Sequence, residues 1–258
     1  MRLPAWTRSL LPLVRADLRQ RYAGSRLGGL WALLAPVAEV GAYALVFSWI
    51  ARPASGLDPA GFVVFVAAGL LPWSALREAL EGSAGALLEN RWIRRSRVPM
   101  ELLVARVAVA AAVRGAVGVV LVVGFALQRG ELPGALGVAL PLLALALQTL
   151  GSYGLGLALA PLAALHPDLR PGLASGLTLL TFASPILISE GALPPSVLAA
   201  MHLNPFTRLL RLYRLPLAAE AGRFTPADAG VAFGSALALL ALGILAQRRY
   251  FGPARDRL

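Results

Sequence analysis

The chain has 258 residues, of which 58% are apolar and only 14% charged, with a mean hydropathy of +0.70. A water-soluble domain carries roughly 25% charged side chains, so this chain lacks the polar surface to cover itself and reads as an integral membrane protein. All 24 basic side chains are arginine, the net charge is +11 and cysteine is absent, which excludes disulfides, thiolate metal sites and a cysteine nucleophile. A pI near 11.4 would suggest nucleic acid in a soluble chain. In a membrane chain it points instead to arginines gathered beside anionic headgroups, with no nucleic-acid partner.

The first 28 residues are expected to form a cytoplasmic amphipathic segment ahead of a transmembrane domain at 29–258. Trp6, Leu10, Leu13, Val14, Leu18 and Tyr22 fall on one face at helical spacing, with Arg8, Arg15 and Arg19 elsewhere. Ser9 is placed to cap this helix and Pro12 to occupy its first turn. The helix is expected to lie in the membrane interface. It is not a signal peptide, because Arg15 and Asp17 interrupt the short apolar run and no small-residue cleavage site follows.

A membrane span needs about 20 mostly apolar residues. Six candidates lie at about 29–51, 60–80, 98–127, 135–165, 172–189 and 228–247. Tyr43, Phe47, Trp49, Phe62, Phe65 and Trp73 cluster in the outer halves of the first two. They form either an ordinary interfacial aromatic belt or part of the lining of a conduit. Glu39, Arg106 and Arg114 lie well inside spans, where a central charge costs ~2.5–3.5 kcal/mol. Glu39 lies ~15 Å deep, counting 1.5 Å per helical residue, and Arg106 and Arg114 bracket that depth. Either Glu39 pairs with an arginine, or an arginine lines a route for an anionic substrate.

Between the second and third spans, "ENRWIRRSRVPME" (89–101) packs Arg91, Arg94, Arg95 and Arg97 around Trp92 and Ile93. The segment 190–224 is broken at Pro194–Pro195, Asn204–Pro205 and Pro216 into short apolar stretches. Such stretches suit a re-entrant helical hairpin with its turn at Asn204. Segments on the side of both termini hold fifteen arginines, against six on the other side. Both termini are therefore expected in the cytoplasm, and the basic knot with them. Four of the opposing six, Arg208, Arg211, Arg214 and Arg223, follow the fifth span. Their three-residue spacing from 208 to 214 either holds phosphate bidentately or snorkels to lipid headgroups.

Little chemistry is available to the chain. His166 and His202 fall on opposite sides without a carboxylate or second histidine at metal-ligand spacing, and no GxSxG or HExxH motif appears. A nucleotide-binding P-loop requires lysine, so any ATP must be hydrolysed by another polypeptide. No catalytic, metal or cofactor site is expected.

Four stretches carry a family resemblance: "DLRQRYAGSRLGGLWALLAPV" (17–37), "GLLPWSAL" (69–76), "IRRSRVPMELL" (93–103) and "LNPFTRLLRLYR" (203–214). In order and at these intervals they resemble the membrane subunits of ABC-2-type polysaccharide exporters, the permeases of O-antigen, capsule and teichoic acid. Ala35, Leu76, Arg97 and Val98 depart from the residues expected at those positions. The resemblance implies an all-α homodimeric permease in the bacterial cytoplasmic (inner) membrane. It further implies two separate ATPase subunits, which bind ATP and Mg, and a lipid-linked glycan substrate. It assigns Glu89, Arg91, Trp92, Ile93, Arg94, Arg95 and Arg97 to a coupling helix on the ATPase. Tyr43, Phe47, Phe65, Trp73 and Arg114 go to the channel, where aromatics stack on sugar rings. Asn204, Pro205, Arg208, Arg211, Tyr213 and Arg214 go to an extracytoplasmic gate. An ABC-2 exporter of drugs or another small hydrophobic solute is the alternative. A membrane-embedded lipid or sugar transferase would need a catalytic base or an acidic metal-binding pair near the interface, which the sequence does not supply.

Overall fold

A computed structural model describes residues 5–21, 24–89, 98–130, 134–217 and 223–257. Every regular element among them is helical. In chain order these are α1 (Ala5–Arg21), α2 (Trp31–Phe47), α3 (Arg52–Ser55), α4 (Pro59–Gly85), α5 (Met100–Arg129), α6 (Leu136–Leu165), α7 (Leu169–Phe182), α8 (Pro195–Met201), α9 (Pro205–Arg214) and α10 (Pro226–Arg257). Four helices, α4, α5, α6 and α10, are each long and apolar enough to cross a membrane. The chain is an all-α, multi-pass membrane protein.

Local chemistry sets the helix ends. Pro59 opens α4 at the first position, where its missing N–H costs nothing, and Asp58 caps it by accepting from the Gly61 N–H at 3.3 Å. Gly130 ends α5 with a left-handed φ of 67°. Asn204 accepts from the Phe206 N–H at 3.0 Å and Pro205 follows, so the expected turn is the N-cap of α9.

Two of the six expected spans are shorter than the hydropathy suggests. α2 has 17 residues, not 23, and gives way to a turn at Ser48. α7 has 14 residues and covers 169–182 rather than 172–189. Pro185 explains the early stop, since it has no N–H to continue the ladder and drives Ser184 out of the helical region. At 1.5 Å per residue these helices rise about 25 and 21 Å.

In α1, Val14 is buried, Leu10, Leu13 and Leu18 are half-buried, and Arg15 and Arg19 are exposed. The helix packs on α5 through this face. It begins at Ala5, however, so Ser9 and Pro12 lie inside it rather than at its cap and first turn. Pro12 is on the exposed face, where solvent replaces the backbone bond it removes. Tyr22 and the Trp6 side chain lie outside the described residues.

The core runs along α4, which is buried for most of its length and touches α2, α5, α6, α7 and α9. Two apolar walls meet there without a driving force from water, so close backbone approach supplies the packing. α6 and α10 show this most plainly. A Cβ on Gly154 would lie 2.5 Å from the Leu240 Cα, and one on Gly243 would collide with the Gly154 carbonyl.

Candidate functional site

Residues 183–217 and 223–228 gather around α9. Arg211 points at two carboxylates at once. Its Nη2 donates to Glu190 Oε2 at 2.6 Å, its Nε to Glu190 Oε1 at 3.1 Å, and its Nη1 to Asp228 Oδ1 at 3.2 Å. Arg208 Nη1 donates to the same Asp228 oxygen at 2.7 Å, while Thr225 supplies its N–H and hydroxyl to Asp228 Oδ2 at 2.8 and 2.9 Å. His202 Nε2 lies 3.0 Å from Arg211 Nη2, so it accepts, and 3.5 Å from Glu190 Oε2. Asp228 is fully buried and Glu190 is 4% exposed. Burial pushes the Glu190 carboxyl up, but the hydrogen bonds and charge of Arg211 outweigh it and hold the group below its ordinary 4.5. Chemically this is a neutral ionic lock joining the turn at Glu190, α9 and the start of α10.

Arg214 turns the other way. Nη1 and Nη2 donate to the carbonyls of Pro185 and Ile186 at 2.6 and 2.5 Å, and the guanidinium lies 3.7 Å over the Phe65 ring. Gly69 makes the room, since a Cβ there would meet Arg214 Nη2 at 2.7 Å. Tyr213 donates its hydroxyl to Gln148 at 3.1 Å, and Gln148 donates to the Pro72 carbonyl at 2.9 Å. Asn204 Nδ2 donates to Ser184 Oγ at 2.8 Å. The six residues expected at the gate are thus gathered on one short helix, but not as an outward stripe. Arg211 and Arg214 spend their donors inside the protein, so here neither faces phosphate or headgroups.

A second group of charges lies midway along α2, α4 and α5. Arg114 Nε donates to Glu78 Oε2 at 2.9 Å and its Nη1 stands 3.7 Å from Glu39 Oε2. Arg77 and Glu81 pair beside them at 2.9 Å, one helical turn apart. The expected Glu39–arginine pair therefore exists for Arg114, shared with Glu78. Arg106 instead meets Asp17 of α1 at 3.5 Å. Unlike the lock, this group is half-exposed.

The expected channel aromatics separate. Phe65 and Trp73 are buried within the chain itself, Phe65 beneath Arg214 and Trp73 against Phe206, with its Nε1 donating to Thr181 at 2.8 Å. Tyr43 and Phe47 stay half-buried on α2, their rings stacked with centroids 6.4 Å apart. Trp73 also borders an apolar cavity of about 200 Å³ between α4, α6, α7, α9 and α10.

Of the expected coupling residues, Glu89 accepts from Arg170 Nη2 at 2.9 Å. Arg91, Trp92, Ile93, Arg94, Arg95 and Arg97 lie outside the described residues.

Glu190 and Asp228 went unread in the sequence, and His202 was read only as lacking a carboxylate at metal-ligand spacing, whereas the fold brings Glu190 to 3.5 Å from it. The available signal was charge balance, because three acids, Glu190, Glu220 and Asp228, fall in the same stretch that holds four unexplained arginines. Glu78 and Arg170 gave no such signal.

No protein-family model matches the chain. Curated relatives do. The O-antigen export system permease protein RfbA of Myxococcus xanthus is 28% identical over 208 residues, covering 80% of this chain and 78% of its own. Two RfbA permeases from Klebsiella pneumoniae, described in the same words, are 23% and 20% identical over 207 residues. The chain is thus similar to O-antigen export permeases at 20–28% identity. The aligned length extends over most of both proteins.

Proposed function

We propose that the chain is the transmembrane subunit of an ATP-driven exporter that carries a lipid-linked polysaccharide across the bacterial inner membrane. The observation that carries this is the likeness to O-antigen export permeases over 80% of the chain. With no lysine in 258 residues the chain has no P-loop, so a separate ATPase must supply the energy. Two ATPase copies bound to a permease homodimer, around a central path, is the assembly we infer. Both termini then face the cytoplasm, by the arginine asymmetry. α2 and α7, with the turns that extend them, complete six crossings. α8 and α9, of 7 and 10 residues, are too short to cross and suit a re-entrant hairpin in the outer leaflet.

Residues 89–97 are assigned to docking on the ATPase, with Trp92 and Ile93 as apolar anchors and the arginines on a polar rim. Asn204, Pro205, Arg208, Arg211, Tyr213 and Arg214 build the outer gate. Within it, Arg208 and Arg211 hold shape through Glu190 and Asp228, and Arg214 through the turn after α7. Glu39, Glu78 and Arg114 are half-exposed at a depth where a lipid-facing charge is costly. That exposure supports placing them, with Tyr43 and Phe47, along the water-filled path. Phe65 and Trp73 support that wall from inside the protomer.

Deletion of the gene tests the reading. Surface glycan should be lost while lipid-linked glycan accumulates on the cytoplasmic leaflet, and the purified chain should not hydrolyse ATP without its partner. Unchanged surface glycan, or hydrolysis by the chain alone, overturns it.

A further inference from the structure

We propose that α7 acts as a connecting rod between the 89–97 segment and the α8–α9 gate, and that Arg170 is the positioning residue that fixes its lower end. The inference rests on the coupling role assigned above to residues 89–97.

Three observations carry it. The first is the lower joint. Arg170, the second residue of α7, bonds Glu89, the last described residue before the basic segment, at 2.9 Å. The pair lies directly over Gly85 of α4. A Cβ there would come within 2.5 Å of Glu89 Oε1 and 3.1 Å of Arg170 Nη2, so the site leaves room for the pair and for little else. The Glu89 N–H also donates to the Gly85 carbonyl at 3.0 Å, which fixes the carboxylate's base.

The second is the upper joint. The turn leaving α7 is tied to α9 from three sides: Arg214 to the Pro185 and Ile186 carbonyls, Asn204 to Ser184, and Arg211 to Glu190. Several of these groups are buried, where breaking a charge-assisted bond is expensive. The turn and α9 therefore move together.

The third is the loose middle. Only Leu177 and Thr181 of α7 are buried. Cβ atoms placed on Gly172 and Gly176 would meet nothing within 4 Å. The cavity of about 200 Å³ flanks the helix at Leu177 and Leu180, where a close-packed interior would hold side chains. α6 and α10 provide the contrast, because their backbones touch at Gly154 and Gly243 and neither can shift against the other. A helix tied strongly at its upper end, joined by one ion pair at its lower end and packed lightly between them can pass displacement from one end to the other.

The Arg170–Glu89 pair is solvent-exposed, 43% and 61% at its two side chains, so it adds little to folding stability. Such a pair can bias the population of two conformations only modestly. The expected loss in Arg170→Ala is therefore about two- to five-fold in export, with unchanged protein level and ATPase association.

The test uses the chain assembled with its ATPase in lipid nanodiscs. The chain has no cysteine, so a single cysteine replacing Leu203, which is 86% exposed at the hairpin turn, reports on the gate through its maleimide labelling rate. With the unmodified pair the rate should differ between nucleotide-free and ATP-bound complexes. Arg170→Ala should keep hydrolysis and shrink that difference. The exchange Glu89→Arg with Arg170→Glu should restore most of it, which a purely structural role for either residue would not. A full labelling response in Arg170→Ala, or no recovery in the exchanged pair, overturns the rod. If the unmodified complex shows no ATP-dependent change, the coupling role itself fails and the rod falls with it.

Discussion

The charges around α9 and those between α2, α4 and α5 use the same residue types, and water reaches them very differently. Around α9, two arginines meet two carboxylates, Asp228 is fully buried, and Arg211 is 13% exposed at its side chain. Between α2, α4 and α5, three carboxylates (Glu39, Glu78, Glu81) face two arginines (Arg77, Arg114), which leaves one net negative charge. Their side chains are 20% to 39% exposed. A buried charge is tolerable only when its partners saturate it, and the α9 group meets that condition by tying three segments together. A half-exposed charge inside a membrane domain must have water or another protein surface beside it. Burial, and not residue type, separates a lock from a lining.

That difference predicts unequal costs for similar substitutions. Asp228→Ala leaves Arg208 and Arg211 with a shared buried partner missing, and breaking such a pair from one side costs about 3–5 kcal/mol. We expect little folded protein in detergent extracts, read as loss of the monodisperse peak and a lower thermal midpoint. The alanine pair at Arg211 and Arg214 should also lower protein level, because both side chains hold buried groups. A stable, monodisperse Asp228→Ala variant would show that the lock is not the structural tie described here.

Arg114→Gln should behave in the opposite way. The pair it breaks is partly solvated, so the stability loss should not exceed about 1 kcal/mol. Export should fall while the thermal midpoint barely moves. Equal losses in both quantities would place Arg114 with the lock, and intact export would remove it from the path.

The architecture was legible because periodicity and apolar length survive in any membrane helix, and four long helices fall where the hydropathy put them. The shortness of α2 and α7 was not. Hydropathy measures apolar composition and does not register that Pro185 ends a helix whose apolar run continues to 188. α9 was legible through Asn204–Pro205, a local capping signal. The partners of its arginines were not legible, because a three-residue spacing specifies a face without specifying what covers it. The covering groups, Glu190 and Asp228, come from segments 21 and 17 residues away from Arg211. Phe65 and Trp73 were legible as membrane aromatics, but which side of α4 faces inward depends on α7 and α9 packing there, a long-range fact.

The smallest effect should come from Arg77 and Glu81, and it bears most directly on what the half-exposed group does. The two are spaced i,i+4 on α4 and each is 39% exposed. Such helix-surface pairs contribute about 0.3–0.5 kcal/mol in water. Double replacement by alanine should therefore leave the thermal midpoint within error. A path lined by these charges would behave differently, since removing one positive and one negative group keeps the net charge but withdraws hydrogen-bonding partners from whatever passes. Replacement by glutamine at both positions keeps those partners and removes the charge. If the group lines the path, export should fall by less in the glutamine pair than in the alanine pair. Identical export from both variants at wild-type level would mean that α4 meets only bulk solvent or a partner chain at this depth, and the path would have to run elsewhere.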